Sequence, residues 1–223
     1  MIRLAGAGVR AGERVVLHPV HLELGEPSVA LVGPNGSGKS TLLRLLNGLV
    51  LPSEGAVSVD GMDTEEDLAR VRRHVGFVFP DPDAQLVMPT PAEDVALSLR
   101  RTGVPRARRR GRALELLRAQ GLGDLADAGV RELSSGQRQL LALTAVLATA
   151  PAVLACDEPT TLLDLRTSRR VADLLLSCAA QLVVATHDLD LARRTRRALW
   201  LEEGRVVADG PADEVVAAYA AAA

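Results

Sequence analysis

Gly33-Pro34-Asn35-Gly36-Ser37-Gly38-Lys39-Ser40-Thr41 carries the spacing G-x-x-x-x-G-K-S in a chain of 223 residues. The apolar run before it, Val29-Ala30-Leu31-Val32, predicts a buried strand, and Leu42-Leu43-Arg44-Leu45-Leu46 after it predicts a helix. Strand, glycine loop and helix in that order make a phosphate-binding loop. The glycines let backbone N–H groups close around phosphates, and the helix N-terminus adds positive potential. Lys39 is placed to reach the β- and γ-phosphates of a nucleoside triphosphate, and the Ser40 hydroxyl to ligate Mg²⁺. Asn35, Gly36, Ser37, Gly38 and Thr41 complete the candidate cradle. Lys39 is the only lysine among 26 basic residues, so this position resists a bias that removed lysine elsewhere.

The length accommodates one α/β unit with a small appended lobe, and therefore one nucleotide site. Hydrophobic residues make up 48% of the chain, but the aromatics are only Phe77, Phe79, Trp200 and Tyr219, so the core is built from Leu, Val and Ala. A net charge of −2 argues against a nucleic-acid partner. Cys156 and Cys178 lie in apolar stretches, and with no signal peptide evident they read as buried cytoplasmic thiols. No apolar run approaches the roughly 20 residues of a membrane span. Any service to a membrane is expected from outside the bilayer.

Residues 1–32 hold short apolar runs (2–4, 15–17 and 21–24) broken by glycines and Pro19, which predicts a small antiparallel sheet feeding the loop strand. Val57-Ser58-Val59 reads as a strand with the turn Asp60-Gly61 behind it, and residues 64–67 as a helix start leading to a strand over 75–79. From Pro91 to Leu147 the periodicity is helical, predicting a separate lobe. Within it Arg106, Arg108, Arg109, Arg110 and Arg112 read as a solvated helix face, with contact to lipid headgroups or an acidic partner as the alternative. Beyond Pro151 the pattern alternates again: strand 153–156, a helix from Asp164, strand 182–185, a hairpin around Glu203-Gly204 and a last helix over 213–222 with a frayed alanine tail. That is βαβ logic and implies a parallel sheet.

The apolar strand Ala152-Val153-Leu154-Ala155-Cys156 ends in Asp157-Glu158. A first carboxylate at a strand end can hold Mg²⁺, and a second can orient and deprotonate the attacking water. With these residues assembled, the chain resembles the nucleotide-binding subunit of an ABC transporter. Leu133-Ser134-Ser135-Gly136-Gln137 is similar to the signature motif, Asp157-Glu158 to the Walker B pair, and Thr161-Leu162-Leu163-Asp164 to the D-loop. His187 in Ala185-Thr186-His187-Asp188 is similar to the switch histidine. The resemblance implies an ATPase fold over 1–223: a parallel-sheet core with a small antiparallel β subdomain (1–79 and 151–223) and a helical subdomain (80–150). It implies ATP and Mg²⁺ as cofactors, Glu158 and His187 as catalytic residues, and Ser40 and Asp157 as metal ligands. It further implies that two such chains pair head to tail. Ser134, Ser135, Gly136, Gln137 and Asp164 of one then face the ATP held by the other.

A finer resemblance lies in residues 78–86 and 88–95, which are similar to the loop of energy-coupling-factor and cobalt-type importers, F-Q-[ND]-P-D-x-Q-[LI]-F followed by P-T-V-x-x-D-V. It implies a second ABC ATPase subunit, a transmembrane coupling protein and a substrate-capture membrane protein as partners, with this chain peripheral on the cytoplasmic face. Asp81, Asp83 and Leu86 are the candidates for the groove that receives the coupling protein's helices. Three departures stand out. Pro80 occupies the Q-loop glutamine position. Val9, Arg10 and Ala11 stand where an adenine-stacking aromatic is expected, leaving Arg10 as a cation–π alternative. Ser135 and Leu162-Leu163 replace small residues. Two functions follow: an ATP-hydrolysing importer subunit, or a nucleotide-binding regulatory partner of a more complete ATPase. A GTPase base-reading N-K-x-D element is excluded by the single lysine, and a coiled-coil repair ATPase by the lack of heptads.

Overall fold

The structure, a computed structural model, describes residues 1–222. Strands β1 (Ile2–Ala11) and β2 (Arg14–Leu24) form a long antiparallel pair, followed by β3 (Ser28–Val32) and helix α1 (Lys39–Leu46). The first two strands are longer than the sequence runs suggest. Gly6, at φ 63°, sits at a register shift between Ala5 and Ala7, so the glycine is absorbed as a bulge instead of ending the strand. Strand β4 (Glu54–Val59) turns into β5 (Met62–Asp63) through Asp60 and Gly61, both at positive φ (48° and 75°), as a tight hairpin requires. Helix α2 (Leu68–His74) begins later than expected: Asp63 accepts hydrogen bonds from the N–H groups of Glu65 and Glu66, and this local turn displaces the helical one. Strand β6 (Val75–Val78) then leads into the helical lobe of α3 (Pro91–Ser98), α4 (Arg106–Ala119) and α5 (Ser135–Leu147). The chain closes with β7 (Val153–Asp157), α6 (Leu165–Ser177), β8 (Gln181–Ala185), α7 (Leu189–Arg193), β9 (Arg197–Glu202), β10 (Arg205–Pro211) and α8 (Ala212–Ala222). The last helix is regular through Ala222 where fraying was expected, and the final residue of the tail lies outside the described residues.

Two sheets result, one antiparallel in the order β2-β1-β4-β5, the other of six strands in the order β10-β9-β3-β8-β7-β6. Strands β9, β3, β8, β7 and β6 run parallel, with β10 antiparallel at one edge. The inner strands read as continuous apolar runs because both their faces are covered. Alternate residues go to opposite layers: Ala30, Leu154, Cys156, Leu182 and Val184 pack towards the helical lobe, and Val29, Leu31, Ala155, Val183 and Ala185 pack towards α1 and the antiparallel sheet. Cys156 is buried, and burial pushes its thiol pKa up, but Cys178 is only half-buried because it caps the end of α6. The carboxyl ends of β3, β7 and β8 converge on one edge, where an open α/β sheet binds ligands.

Candidate nucleotide site

The loop after β3 is shaped by contacts a side chain would forbid. Gly33, at φ 142°, lies so close to β9 that an added Cβ would sit 2.0 Å from the Leu201 carbonyl oxygen. Gly36 and Gly38 also take positive φ, 77° and 103°. The β9–β10 turn holds the loop from behind, with the Gly204 N–H donating to the Ser37 carbonyl at 3.0 Å. The N–H groups of Gly36, Gly38, Lys39, Ser40 and Thr41 have no acceptor among the described residues. They form a nest of donors at a helix N-terminus. The Lys39 ammonium folds back onto the carbonyls of Gly33 and Pro34 at 2.7 and 2.9 Å. Burial holds its pKa below the usual lysine range, against the opposing pull of Glu158 and Asp157. An anionic phosphate gives that cation the neighbour it lacks.

Asp157, at the end of β7, is 1% exposed. Its Oδ1 accepts a hydrogen bond from the Ser40 hydroxyl at 2.8 Å, while Oδ2 is buried without a hydrogen-bond partner and 3.8 Å from the Arg44 guanidinium. A hydroxyl and a carboxylate with one unsatisfied oxygen are hard donors that suit a small divalent cation. Among the described residues no three His, Cys, Asp or Glu side chains cluster as a ready metal cage. A cation held by Ser40 and Asp157 would draw on water and phosphate for the rest of its shell, which suits Mg²⁺.

Glu158 follows in a left-handed conformation, φ 49°, a strain of roughly 1–3 kcal/mol for a residue with a Cβ. The N–H of Glu158 is pinned to the Ala185 carbonyl at 2.9 Å. Its Oε2 accepts from the His187 N–H at 3.2 Å and the Thr161 hydroxyl at 3.1 Å. Its Oε1 has no hydrogen bond and lies 3.3 Å from His187 Nε2, which is also 2.9 Å from Asn35 Oδ1. Asn35, Glu158 and His187, far apart in sequence, thus meet at the mouth of the phosphate loop with one carboxylate oxygen uncommitted.

The signature residues lie elsewhere. Ser134 caps α5 and exchanges hydrogen bonds with Gln137: its hydroxyl accepts from the Gln137 N–H at 3.3 Å, and its own N–H donates to Gln137 Oε1 at 2.8 Å. Gly136 packs on Thr167 of α6. Asp164 caps α6 with both oxygens occupied, by the Thr167 hydroxyl first and then by the N–H groups of Thr167 and Arg166, which keep its carboxyl pKa low. Among the described residues no hydrogen bond or ion pair joins residues 134–137 or Asp164 to the phosphate loop, Asp157, Glu158 or His187. The structure therefore brings the candidate residues together as two groups.

Pro80 is exposed and offers no side-chain donor, while Gln85 turns inward, accepting from the Phe79 N–H at 3.1 Å. Arg10 is exposed, with its guanidinium on the Glu13 carbonyl at 3.2 Å. Beside α5 an open groove of about 840 Å³ is lined by Asp83, Leu86, Met88, Val130 and Arg138 among others. Asp81, expected there, instead caps its own turn by accepting from the Asp83 N–H. Arg44 and Thr161 enter the site without having been singled out. Arg44 was findable, since it stands one helical turn beyond Ser40, but no local pattern announces the Thr161 hydroxyl.

Residues 17–161 match the family described as ABC transporter. The biotin transport ATP-binding protein BioM of Rhizobium etli is 40% identical over 218 residues, covering 98% of this chain and 97% of that one. Among solved structures, cbiO1 of Clostridium perfringens, part of the ABC transporter complex cbiONQ, superposes with a TM-score of 0.85 at 29% identity, covering 97% of this chain and 90% of that one. The ATP-binding cassette MJ0796, as a post-hydrolysis dimer with ADP and Pi, gives 0.84 at 33% identity, covering 95% and 99%. Its phosphate loop, paired strand-end acids and signature helix, with these likenesses over nearly its whole length, establish that this chain belongs to the ABC transporter family as an ATP-hydrolysing, ATP-binding subunit.

Proposed function

We propose that this chain powers an energy-coupling-factor-type importer of a vitamin or transition-metal ion, as one of a pair of ABC ATPase subunits. It sits peripherally on the cytoplasmic face of the membrane with a transmembrane coupling protein and a substrate-capture protein. In keeping with that place, no helix among the described residues is long and apolar enough to cross a membrane. The whole of 1–223 acts as one cassette, with 80–150 as its helical, partner-facing lobe. At the site, the phosphate-loop N–H groups and Lys39 bind the triphosphate. Ser40 and Asp157 hold Mg²⁺, which when bound neutralises phosphate charge. Glu158 takes the proton of the attacking water through its uncommitted Oε1, and His187 orients that carboxylate. Ser134, Ser135, Gly136, Gln137 and Asp164 present the signature surface to the partner's ATP.

The observation that carries the importer reading is the construction of the groove. Three polar residues of the 78–95 loop have building tasks there: Gln85 accepts from the Phe79 N–H, Asp83 pairs with Arg138 at 3.0 Å, and Asp94 Oδ2 accepts from the N–H groups of Val87 and Met88 at 2.8 and 2.9 Å. That stiffening supports reading the loop as a receptor for a helix from another protein. The names of the BioM and cbiO1 relatives support the same class. Tagging the chain in its native cell, extracting membranes in mild detergent and identifying what copurifies tests this. A coupling membrane protein, a second ATPase and a small capture protein are expected, whereas soluble partners alone overturn the reading. Pro80 favours a second reading, a site that binds ATP without turning it over beside a more complete partner. Turnover at this chain's own phosphate loop, measured with the partner's site inactivated, separates the two.

A further inference from the structure

Charge in this chain is segregated. Seven arginines and no acidic residue fall within residues 99–112, whereas the rest of the chain has 19 basic and 28 acidic side chains. The fold gathers four of the seven around one trough of about 580 Å³, with a floor of Met88, Ala96 and Leu97 and a rim of Arg100, Arg106, Arg109 and Arg110. Little in the chain neutralises that rim. Arg110 is paired with Asp127 at 2.7 Å, and Arg109 spends its Nε on the Val104 carbonyl at 2.9 Å. Arg100 and Arg106 have no ion pair among the described residues, and the one acid in the lining, Glu93, accepts from the Thr90 hydroxyl at 2.9 Å. Unneutralised guanidinia held together repel one another, so the arrangement calls for anions from outside the chain.

The trough is continuous with the coupling groove, because Met88 lines both, and the neighbouring Val87, which lines the groove, is 68% exposed. We propose that the trough binds anionic phospholipid headgroups at the bilayer surface. The guanidinia take phosphate oxygens in pairs, for which the planar fork suits arginine, and the apolar floor with Val87 meets the glycerol and upper acyl region. A merely solvated helix face does not need four guanidinia converging on an apolar floor. The orientation towards the membrane rests on the coupling-groove reading above, but headgroup binding itself does not.

The test is cosedimentation of the full chain with vesicles of phosphatidylcholine alone or with 30% phosphatidylglycerol, at about 50 and 300 mM salt, around which surface attraction is strongly screened. Binding to the anionic vesicles that weakens at the higher salt is expected. Each guanidinium removed costs about fivefold, so Arg100→Gln/Arg106→Gln/Arg109→Gln loses on the order of 100-fold. A control triple at exposed, unpaired arginines elsewhere, Arg14→Gln/Arg73→Gln/Arg205→Gln, binds nearly as the native chain. Should the first triple fail to fold, Arg106→Gln alone, at an exposed and unpaired site, carries the fivefold expectation. Equal binding to both vesicles, or equal loss in both triples, overturns the proposal. So does a first triple that keeps vesicle binding but no longer copurifies with membrane proteins in detergent, since the trough then reads an acidic protein segment. No coupling protein enters the vesicle experiment, so its failure is distinguishable from failure of the importer reading.

Discussion

Glu158 combines two features that are costly separately: a left-handed backbone, and a carboxylate with one oxygen committed and one free. The committed Oε2 fixes the side chain through His187 N–H and the Thr161 hydroxyl, so the free Oε1 is aimed rather than mobile. An amide in place of the carboxylate keeps the shape and can keep both accepted hydrogen bonds, but cannot take a proton. Glu158→Gln is therefore expected to leave the fold and ATP binding intact while lowering turnover by about 10² or more, the usual weight of a general base. Steady-state phosphate release by the assembled complex measures this, and a variant running at the native rate removes Glu158 from the base role. The roles of Ser40 and Asp157 rest on the same kind of reasoning, from an orphaned buried oxygen beside a hydroxyl.

Among the elements, α5 and α6 touch at Gly136 and Thr167, and the contact has no slack. A Cβ on residue 136 would lie 2.8 Å from Thr167 Cγ2, and Thr167 cannot swing away because its hydroxyl and N–H are both bonded to Asp164. Gly136→Ala is expected to cost about 1–3 kcal/mol, the range for overpacking a filled core. Adding Thr167→Ser, which deletes the methyl and keeps the hydroxyl, recovers most of that loss in denaturant midpoints. The β4–β5 hairpin gives a pH-dependent case. The amino terminus of Met1, first, and His74, second, hold the Asp60 carboxyl below its ordinary 3.8, with His74 Nε2 at 2.6 Å. A depressed acid pKa stabilises the fold above the unfolded value and loses that contribution as pH falls through the folded one. Native chain and Asp60→Asn, which keeps the left-handed turn, should differ in Tm at about pH 6 and converge only as pH falls through the depressed folded-state value, which lies under 3.8. The difference is small, since Asp60 is 39% exposed. These elements also show what a sequence can disclose. The phosphate loop, the strand-end acids and the two turns with positive φ, at Asp60-Gly61 and at Glu203-Gly204 (47° and 73°), were legible because each is a local pattern with one structural solution. The length of β1, the start of α2 and the half-exposure of Cys178 were not, because a bulge, an Asx turn and a helix end depend on partners outside the window. Within the site, Asn35 was read as part of the cradle, but its bond to His187 spans 152 positions and no spacing rule predicts it.

At the scale of the molecule, the two groups of candidate residues are each internally complete and mutually apart. The phosphate loop gathers Asp157, Glu158 and His187; the signature gathers Thr167 and Asp164. Between them the D-loop displays Leu162 at 91% exposure and φ 63°, with Leu165 at 66%. A strained, exposed leucine on the loop with a second exposed one at the start of α6 makes sense where a second chain covers them. In the two-fold pair proposed above, the phosphate loop of one chain would face the signature of the other, so a lesion in each group could be separated between subunits. Lys39→Ala disables the first group and Ser134→Arg the second, and each variant alone is expected to be inactive. Mixed in equal amounts, half of the pairs are hybrids, and each hybrid has one site with both lesions and one with neither. The mixture should therefore recover about a quarter of native ATP turnover per chain. Turnover of the mixture as low as that of either variant alone would place both groups of residues at a single-chain site and overturn the paired arrangement.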